Sequence, residues 1–123
     1  MQKTITIALD MMSGDHGLES SVPAALKSLN KHPELNLILV GDKDKISKIL
    51  KDSDCKKYAG RLKINHTEEF IRMDDEVLNA IRYKKKSSMR LSINLVKDTT
   101  AHACVSAGNT GALMALSLSL IHI

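Results

Sequence analysis

The sequence has 123 residues, 43% of them hydrophobic and 26% charged, which is the balance of one modest soluble globular domain. With a net charge of +4, two Tyr, one Phe and no Trp, it lacks the base-stacking aromatics and the dense basic stripe of a nucleic-acid-binding protein. An acidic protein partner or an anionic substrate accounts for the positive charge equally well. Cys55 and Cys104 are far apart and suggest neither a disulfide scaffold nor a zinc site, so a reducing, cytoplasmic location is expected.

The first third of the chain predicts a strand, a loop, a helix and a second strand. Residues 4–10 alternate β-branched and apolar side chains, a pattern that predicts a buried strand. After a loop, Ser20 or Ser21 is expected to cap a helix that carries Pro23 in its first turn. Residues 36–40 are continuously apolar after Asn and predict the next buried strand.

The middle of the chain continues the alternation of helices and strands. Apolar residues at helical spacing predict a helix centred near residue 48, and residues 62–65 predict a short third strand. An irregular stretch is expected at 66–75 and a helix at 76–84. Ser87 is expected to cap a further helix.

The last part of the chain predicts a fourth strand at 103–106, a turn at 107–111 and a helix at 112–120. Strands that alternate with helices imply right-handed crossovers, so we predict a Rossmann-like α/β fold with a parallel sheet and helices on both faces. The sequence stays apolar through residue 123, whereas chain ends are usually polar, so we expect the fold to be incomplete and to continue in a larger protein.

The loop after the fourth strand, Ser-Ala-Gly-Asn-Thr-Gly, is the strongest candidate for chemistry, because ligands of open α/β sheets bind beyond the carboxyl ends of the strands. Gly108 and Gly111 allow the backbone to approach a ligand closely. The N–H groups that begin the next helix favour an anion such as phosphate. Ser106, Asn109 and Thr110 add short hydrogen-bonding side chains. The alternative is an ordinary turn in which Asn109 or Thr110 caps the helix.

The loop after the first strand is a second candidate. Asp10 ends the strand, and Gly14 and Asp15 follow it. These residues suit hydrogen bonding to a ligand or orientation of the neighbouring phosphate loop. Ordinary turn chemistry, for which Asp and Gly are the usual residues, explains the segment more simply when it is taken alone.

A basic run with two serines is the third candidate. Its members are Lys84, Lys85, Lys86, Ser87, Ser88 and Arg90. The run is suited to contact with an acidic carrier protein or to ordering phosphate, whereas a solvated helix end followed by a serine cap is the simpler alternative. The five histidines show no metal-ligand spacing, so no metal site and no cofactor are expected.

Three blocks of the sequence resemble the signatures of the phosphate acyltransferase family (PlsX-type) of phospholipid synthesis. They are Ala-Leu-Asp-Met-Met-Ser-Gly-Asp at 8–15, Lys-Lys-Ser-Ser-Met-Arg at 85–90 and Cys-Val-Ser-Ala-Gly-Asn-Thr-Gly-Ala-Leu-Met at 104–114. The blocks occur in the family's order. Members of that family are much longer, so we expect residues 1–123 to be the N-terminal portion of a single α/β catalytic domain.

The resemblance implies a reaction and its partners. A long-chain acyl group would pass reversibly from acyl-acyl carrier protein to inorganic phosphate, giving acyl phosphate for phospholipid synthesis. The resemblance also implies an isocitrate/isopropylmalate dehydrogenase-like superfamily, a homodimer and peripheral membrane association through a region outside this chain. A non-catalytic phosphate- or nucleotide-binding α/β module and a coenzyme A-dependent phosphate acyltransferase remain as alternatives. The chain by itself is expected to be weakly stable and inactive, because a cut sheet exposes an edge.

Overall fold

A sheet of four parallel strands in the order β3-β2-β1-β4 organises the computed structural model, which describes residues 4–12, 17–51, 56–58 and 60–120. The strands are β1 (Ile5–Asp10), β2 (Leu35–Gly41), β3 (Leu62–His66) and β4 (Ala103–Ser106). Each bound lies within one residue of the predicted strand. The predicted parallel α/β sheet is therefore confirmed.

Helices connect the strands throughout the described residues. They are α1 (Gly17–Lys31), α2 (Lys43–Lys51), α3 (Val77–Tyr83), α4 (Ser88–Lys97) and α5 (Thr110–Leu120), with a single 3-10 turn at Lys56–Tyr58. The helices predicted from apolar spacing are confirmed, and the stretch between β3 and α3 is irregular as expected. No helix in the described ranges has the length and apolar character needed to cross a lipid bilayer.

The helices divide between the two faces of the sheet and form two cores. On one face α1 and α2 pack against β1 and β2, and Leu29, Leu39 and Ile46 are fully buried there. On the other face α4 lies against β1 and β4, and its Met89 and Ile93 form a second core with α3 and α5. The prediction of helices on both faces is therefore confirmed.

The alternation of side chains in β1 explains this division, because successive residues of a strand point to opposite faces. Ile7 and Leu9 pack against the core beneath α1 and α2. Ala8 and Asp10, both buried, belong to the opposite face, where the Ser88 hydroxyl of α4 donates to the Asp10 carboxylate. A polar residue is thus buried at the end of the central strand.

The start of α1 differs from the prediction. The helix begins at Gly17, which has a φ of +66°, so Ser20 and Ser21 lie inside it and do not cap it. The Ser21 hydroxyl instead donates to the carbonyl of Gly17 at 2.9 Å. Pro23 lies in the second turn, where its missing N–H removes the usual hydrogen bond to the carbonyl of Glu19. The serine pattern alone could not place the helix start because these residues also bond to carbonyls within a helix.

Arg61 fixes the end of α1 to the sheet. Its guanidinium donates to the carbonyls of Leu29 and His32 at 2.9 and 2.6 Å, and to the carbonyl of Leu35 at 3.0 Å. The last carbonyls of a helix have no intrahelical donor, and a cation also complements the helix dipole there. One side chain before β3 therefore secures the turn from α1 into β2.

Candidate functional site

The carboxyl ends of all four strands meet at one edge of the sheet, and the predicted candidate loops follow β1 and β4 there. Asp10, the last residue of β1, lies in register with Ser106, the last residue of β4, and with Val40 of β2. The two loops therefore leave the sheet side by side. This juxtaposition is the one that sequence reasoning expected from the parallel topology.

The Asp10 carboxylate joins β1, α4 and β4. It is only 6% exposed; its Oδ1 accepts from the Ser88 hydroxyl and from the Met12 N–H at 3.2 Å. Its Oδ2 accepts from the Ser106 hydroxyl at 2.8 Å, and that hydroxyl oxygen in turn accepts from the Gly108 N–H at 3.2 Å. Asp10 therefore contacts the glycine-containing loop through Ser106, and the bond from the Met12 N–H is a local turn contact of the kind that the simpler interpretation describes.

Ser87 and Ser88 are both fully buried, and they have different roles. Ser87 is the N-cap of α4, because its hydroxyl oxygen accepts from the Arg90 N–H at 3.2 Å. This confirms the predicted cap. Ser88 faces the sheet and donates to Asp10, and its carbonyl accepts from the Ser92 hydroxyl at 2.7 Å. Ser87 thus fixes the start of α4, and Ser88 connects this helix to Asp10.

Asn109 links the start of α5 to the segment 67–75. Its Oδ1 accepts from the Ala112 N–H at 3.2 Å and caps the helix, as the capping interpretation expected. Its Nδ2 donates to the carbonyl of Asp75 at 3.0 Å and lies 3.4 Å from the carbonyls of Arg72 and Met73. The side chain is 9% exposed, so all of its polar capacity is used inside the protein. The sequence indicated the cap but gave no signal for the second set of contacts.

The backbone at the start of α5 is the part of the loop that faces outward. Thr110 and Gly111 are exposed, whereas Gly108 is buried. The first N–H groups of a helix have no intrahelical acceptor, and the Asn109 cap takes that of Ala112, so the amides of Thr110 and Gly111 remain for an external acceptor. The Thr110 hydroxyl lies beside them. This arrangement is suited to an anion at the positive end of the α5 dipole.

Gly111 has a packing reason to be glycine. A Cβ atom built there would lie 2.9 Å from Cγ2 of Val77, the first residue of α3. The contact lets α5 approach α3 closely. Of the other predicted site residues, Gly14 and Asp15 lie outside the described residues.

The basic run serves partly to fix the loop beside it. Lys84 pairs with the carboxylate of Asp75, and its ammonium donates to the carbonyl of Phe70 at 3.0 Å. The hydrogen bond from Lys84, followed by that from the Arg72 N–H, holds the pKa of Asp75 below its usual value. Lys84 is therefore engaged within the protein, whereas Lys85 and Lys86 are exposed and available for a partner.

Arg90 of α4 and Cys104 of β4 are two further polar groups in this part of the protein. Arg90 is half-buried, and its guanidinium lies 3.5 Å from the carbonyl of Ile81. Burial, and then the negative charge of Asp10, raise the pKa of the Cys104 thiol, so this thiol stays protonated at neutral pH. Within the described ranges, no three His, Cys, Asp or Glu side chains are grouped so as to hold a metal ion.

The fold and this edge define an α/β protein with a loop suited to an anion at the carboxyl ends of its strands. The chain belongs to the fatty acid synthesis protein family, whose sequence model matches residues 5–123. It is 56% identical over 110 residues to a phosphate acyltransferase of Coxiella burnetii (strain Dugway 5J108-111), a match that covers 89% of this chain and 32% of that protein. It is 50% identical over 118 residues to a phosphate acyltransferase of Shewanella sp. (strain ANA-3), covering 96% of this chain and 34% of that protein.

The resemblance found in the three sequence blocks is confirmed by these matches. The chain spans about a third of the length of the relatives it matches.

Proposed function

We propose that the intact protein transfers a long-chain acyl group reversibly from acyl-acyl carrier protein to inorganic phosphate, giving acyl phosphate for phospholipid synthesis. In this proposal residues 1–123 form the N-terminal portion of a single α/β catalytic domain of the isocitrate/isopropylmalate dehydrogenase-like superfamily. The protein acts as a homodimer in the cytoplasm, with peripheral membrane association through a region outside this chain. Membership in the fatty acid synthesis family and relatives named phosphate acyltransferase support the proposal.

The observation that carries the proposal is the loop after β4, which is buried at Gly108 and outward-facing at Thr110 and Gly111. Phosphate bound to the outward amides and to the Thr110 hydroxyl would lie at the positive end of α5. Asp10 does not bind the anion, because a carboxylate repels phosphate; its part is to hold Ser106 and, through it, the Gly108 N–H. Asp10 and Ser106 are thus positioning residues.

The chemistry requires little covalent participation from the protein. An oxygen of the bound phosphate attacks the carbonyl carbon of the thioester, and the carbonyl electrons move to oxygen to form a tetrahedral oxyanion. When the oxyanion collapses, the C–S bond breaks, the acyl phosphate forms, and the carrier leaves as a thiolate that takes up a proton. Fixed N–H donors favour both the bound anion and the developing oxyanion, and holding the reactants together lowers the entropic barrier.

The remaining candidates have supporting parts in the proposal. Exposed Lys85 and Lys86 meet the acidic carrier protein, while Lys84 and Arg90 keep the segment around them in place. Positive charge near the site raises the encounter rate with an anionic partner.

The test uses a full-length phosphate acyltransferase in which this chain supplies the matching third, here termed the intact enzyme. We expect phosphate-dependent release of the free carrier thiol from acyl-acyl carrier protein. Gly108→Val should abolish it, because a branched side chain at this buried position displaces the loop that holds the anion. Thr110→Val, which is exposed and nearly isosteric, should raise the KM for phosphate without loss of folding. Normal turnover and phosphate KM in both variants would refute the assignment of the loop.

A further inference from the structure

An open cleft of about 620 Å³ lies on the α1 and α2 side of the strand ends and has no part in the phosphate site. Its apolar lining consists of Met11, Met12, Leu18, Ile49 and Phe70. The volume is within the range of about 300–1,000 Å³ that is usual for small-molecule sites, and such sites are lined mainly by apolar side chains. The cleft therefore has the size and lining of a site for an apolar ligand.

The cleft is connected to the phosphate site through the residues that follow β1 and through the segment 67–75. Met11 and Met12 follow Asp10 in the chain, and the Met12 N–H donates to the Asp10 carboxylate. Phe70 belongs to the segment that the Asn109 side chain holds against the start of α5. A ligand could therefore place an apolar part in the cleft and a reactive end at the loop after β4.

The rim of the cleft carries positive charge. Lys45 and Lys48 line it and are exposed on α2, whereas Ile46 and Leu50 of the same helix are buried in the core. In the part of the chain that the structure describes, neither ammonium has an ion-pair partner. Among the described residues, the lining also includes one carboxylate, Glu19, in the first turn of α1. The apolar floor thus lies next to a pair of cations that suits an anionic group outside the cleft.

We propose that this cleft receives the acyl chain of a fatty acyl thioester, with Lys45 and Lys48 facing the anionic carrier of the thioester. The inference rests on the proposed function, because it takes the acyl donor of that reaction as the ligand. Acyl carrier protein and coenzyme A are both anionic, so the shared chemistry is an apolar chain attached to a negatively charged carrier. The unbranched thioether side chain of half-buried Met12 is suited to acyl chains of different length.

The first experiment measures chain-length dependence in the intact enzyme. Each methylene that leaves water should lower the KM of the thioester about fourfold, so acyl chains of sixteen and eight carbons should differ strongly. Ile49→Trp, which narrows the cleft, should raise the KM for the sixteen-carbon thioester at least tenfold. It should raise the KM for the eight-carbon thioester by a smaller factor, because the shorter chain uses less of the cleft, and it should not change the KM for phosphate, which binds outside the cleft. Leu78→Trp on α3, where the native side chain is 67% exposed, is the matched control.

If the KM of a folded Ile49→Trp enzyme rose equally for both chain lengths, or changed for neither, the proposal would be overturned. Circular dichroism establishes that the variant is folded, and Ile49→Ala provides a second variant that cannot clash. By removing part of the cleft wall, Ile49→Ala should also raise the KM for the longer chain more than for the shorter one.

The second experiment separates the two possible carriers. Lys45→Glu combined with Lys48→Glu should raise the KM for acyl-acyl carrier protein at least tenfold, and Lys31→Glu combined with Lys97→Glu serves as the charge-matched control. A raised KM for acyl-acyl carrier protein alone identifies the acidic surface of that protein as the partner of the lysines. A raised KM for palmitoyl-coenzyme A alone identifies the phosphates of coenzyme A as the partner instead. Unchanged KM values with both carriers would overturn the role of the lysines.

Direct binding distinguishes failure of the cleft from failure of the proposed function. Palmitic acid binding to the intact enzyme is measured by calorimetry, without any turnover. If the enzyme transfers no acyl group to phosphate but binds palmitic acid, and Ile49→Trp abolishes that binding, the cleft stands and the proposed reaction is wrong. If acyl transfer occurs and Ile49→Trp affects neither turnover nor binding, the reaction stands and the cleft is wrong.

Discussion

The two ends of the Asn109 side chain have separable tasks, and Asn109→Asp separates them. The Asn oxygen caps α5 through the Ala112 N–H, and the Asn nitrogen donates to the carbonyl of Asp75. Aspartate has almost the same shape and is as good a helix cap. It retains the first interaction, but it replaces the donor by a second negative oxygen that faces backbone carbonyls.

The expected cost follows from these contacts. A carboxylate at the start of α5 adds a favourable charge–dipole interaction of about 0.3–1 kcal/mol. Against this, the loss of the 3.0 Å hydrogen bond leaves the Asp75 carbonyl without its donor, which costs about 1–3 kcal/mol. Repulsion from the carbonyls of Arg72 and Met73, each 3.4 Å from the present nitrogen, adds to that cost. We expect the free energy for opening the segment 67–75 to fall by about 2 kcal/mol.

Limited trypsin digestion of the intact enzyme measures this opening, because Arg72 is an exposed cleavage site within the segment. When opening is fast relative to cleavage, a loss of 2 kcal/mol speeds cleavage after Arg72 by about thirtyfold. Asn109→Ser keeps a cap without adding charge, so it should speed cleavage by a smaller factor. If Asn109→Asp left the cleavage rate within twofold of the native rate, the assignment of Asn109 as the anchor of this segment would be refuted.

Three further predictions concern stability. Arg61→Ala removes three hydrogen bonds from a cation to carbonyls at the end of α1, in the turn that follows and at the start of β2. It should lower the free energy of unfolding in urea by about 3 kcal/mol, and an unchanged midpoint would contradict the role of Arg61 in securing this turn. Thr99 follows the C-cap of α4 and has a φ of +65°. Thr99→Gly should therefore raise the free energy of unfolding by about 1 kcal/mol, whereas a lower Tm would show that the backbone at Thr99 is unstrained. Because the pKa of Asp75 is lowered by Lys84, its stabilising contribution is complete above about pH 4 and is lost as the pH falls below that value. Lys84→Met should weaken this acid dependence of the unfolding free energy, because the largest cause of the lowered pKa is lost while the Arg72 hydrogen bond remains, and an unchanged dependence would assign it to other carboxylates.

The strands could be predicted from the sequence because each is a short segment of alternating or continuous apolar residues. Helix ends were less certain, as α1 shows: the Ser20-Ser21 pair has a capping composition but lies within the helix. Whether such a hydroxyl caps a helix or bonds to a carbonyl one turn earlier depends on where the chain enters the helix, and that entry is set by packing. By contrast, Ser87 was correctly predicted as a cap because a helix end and a turn flank it closely.

The candidate site shows the same limit at larger distances. The loop from Ser106 to Gly111 is contiguous, so its glycines and short polar residues were visible in the sequence. The contact of Asp10 with Ser88 spans 78 positions, and no local pattern indicates it. The apolar cleft is assembled from four separate segments, so only the folded chain brings its lining together. Local composition thus predicts where a ligand could approach, and the topology determines what else stands beside it.

The central place of β1 has a consequence for the order in which the molecule is built. Its partner on one side, β2, follows closely in the chain, whereas Ser106 at the end of β4 is 96 positions away from Asp10. Contacts between positions so distant form slowly, because a long loop must close before they are gained. During synthesis, β4 pairs with β1 only after residue 106 has emerged, and the hydrogen bond from Ser106 to Asp10 forms only then. Pairing of β4 with β1 and placement of the loop after β4 therefore depend on the same long-range contact.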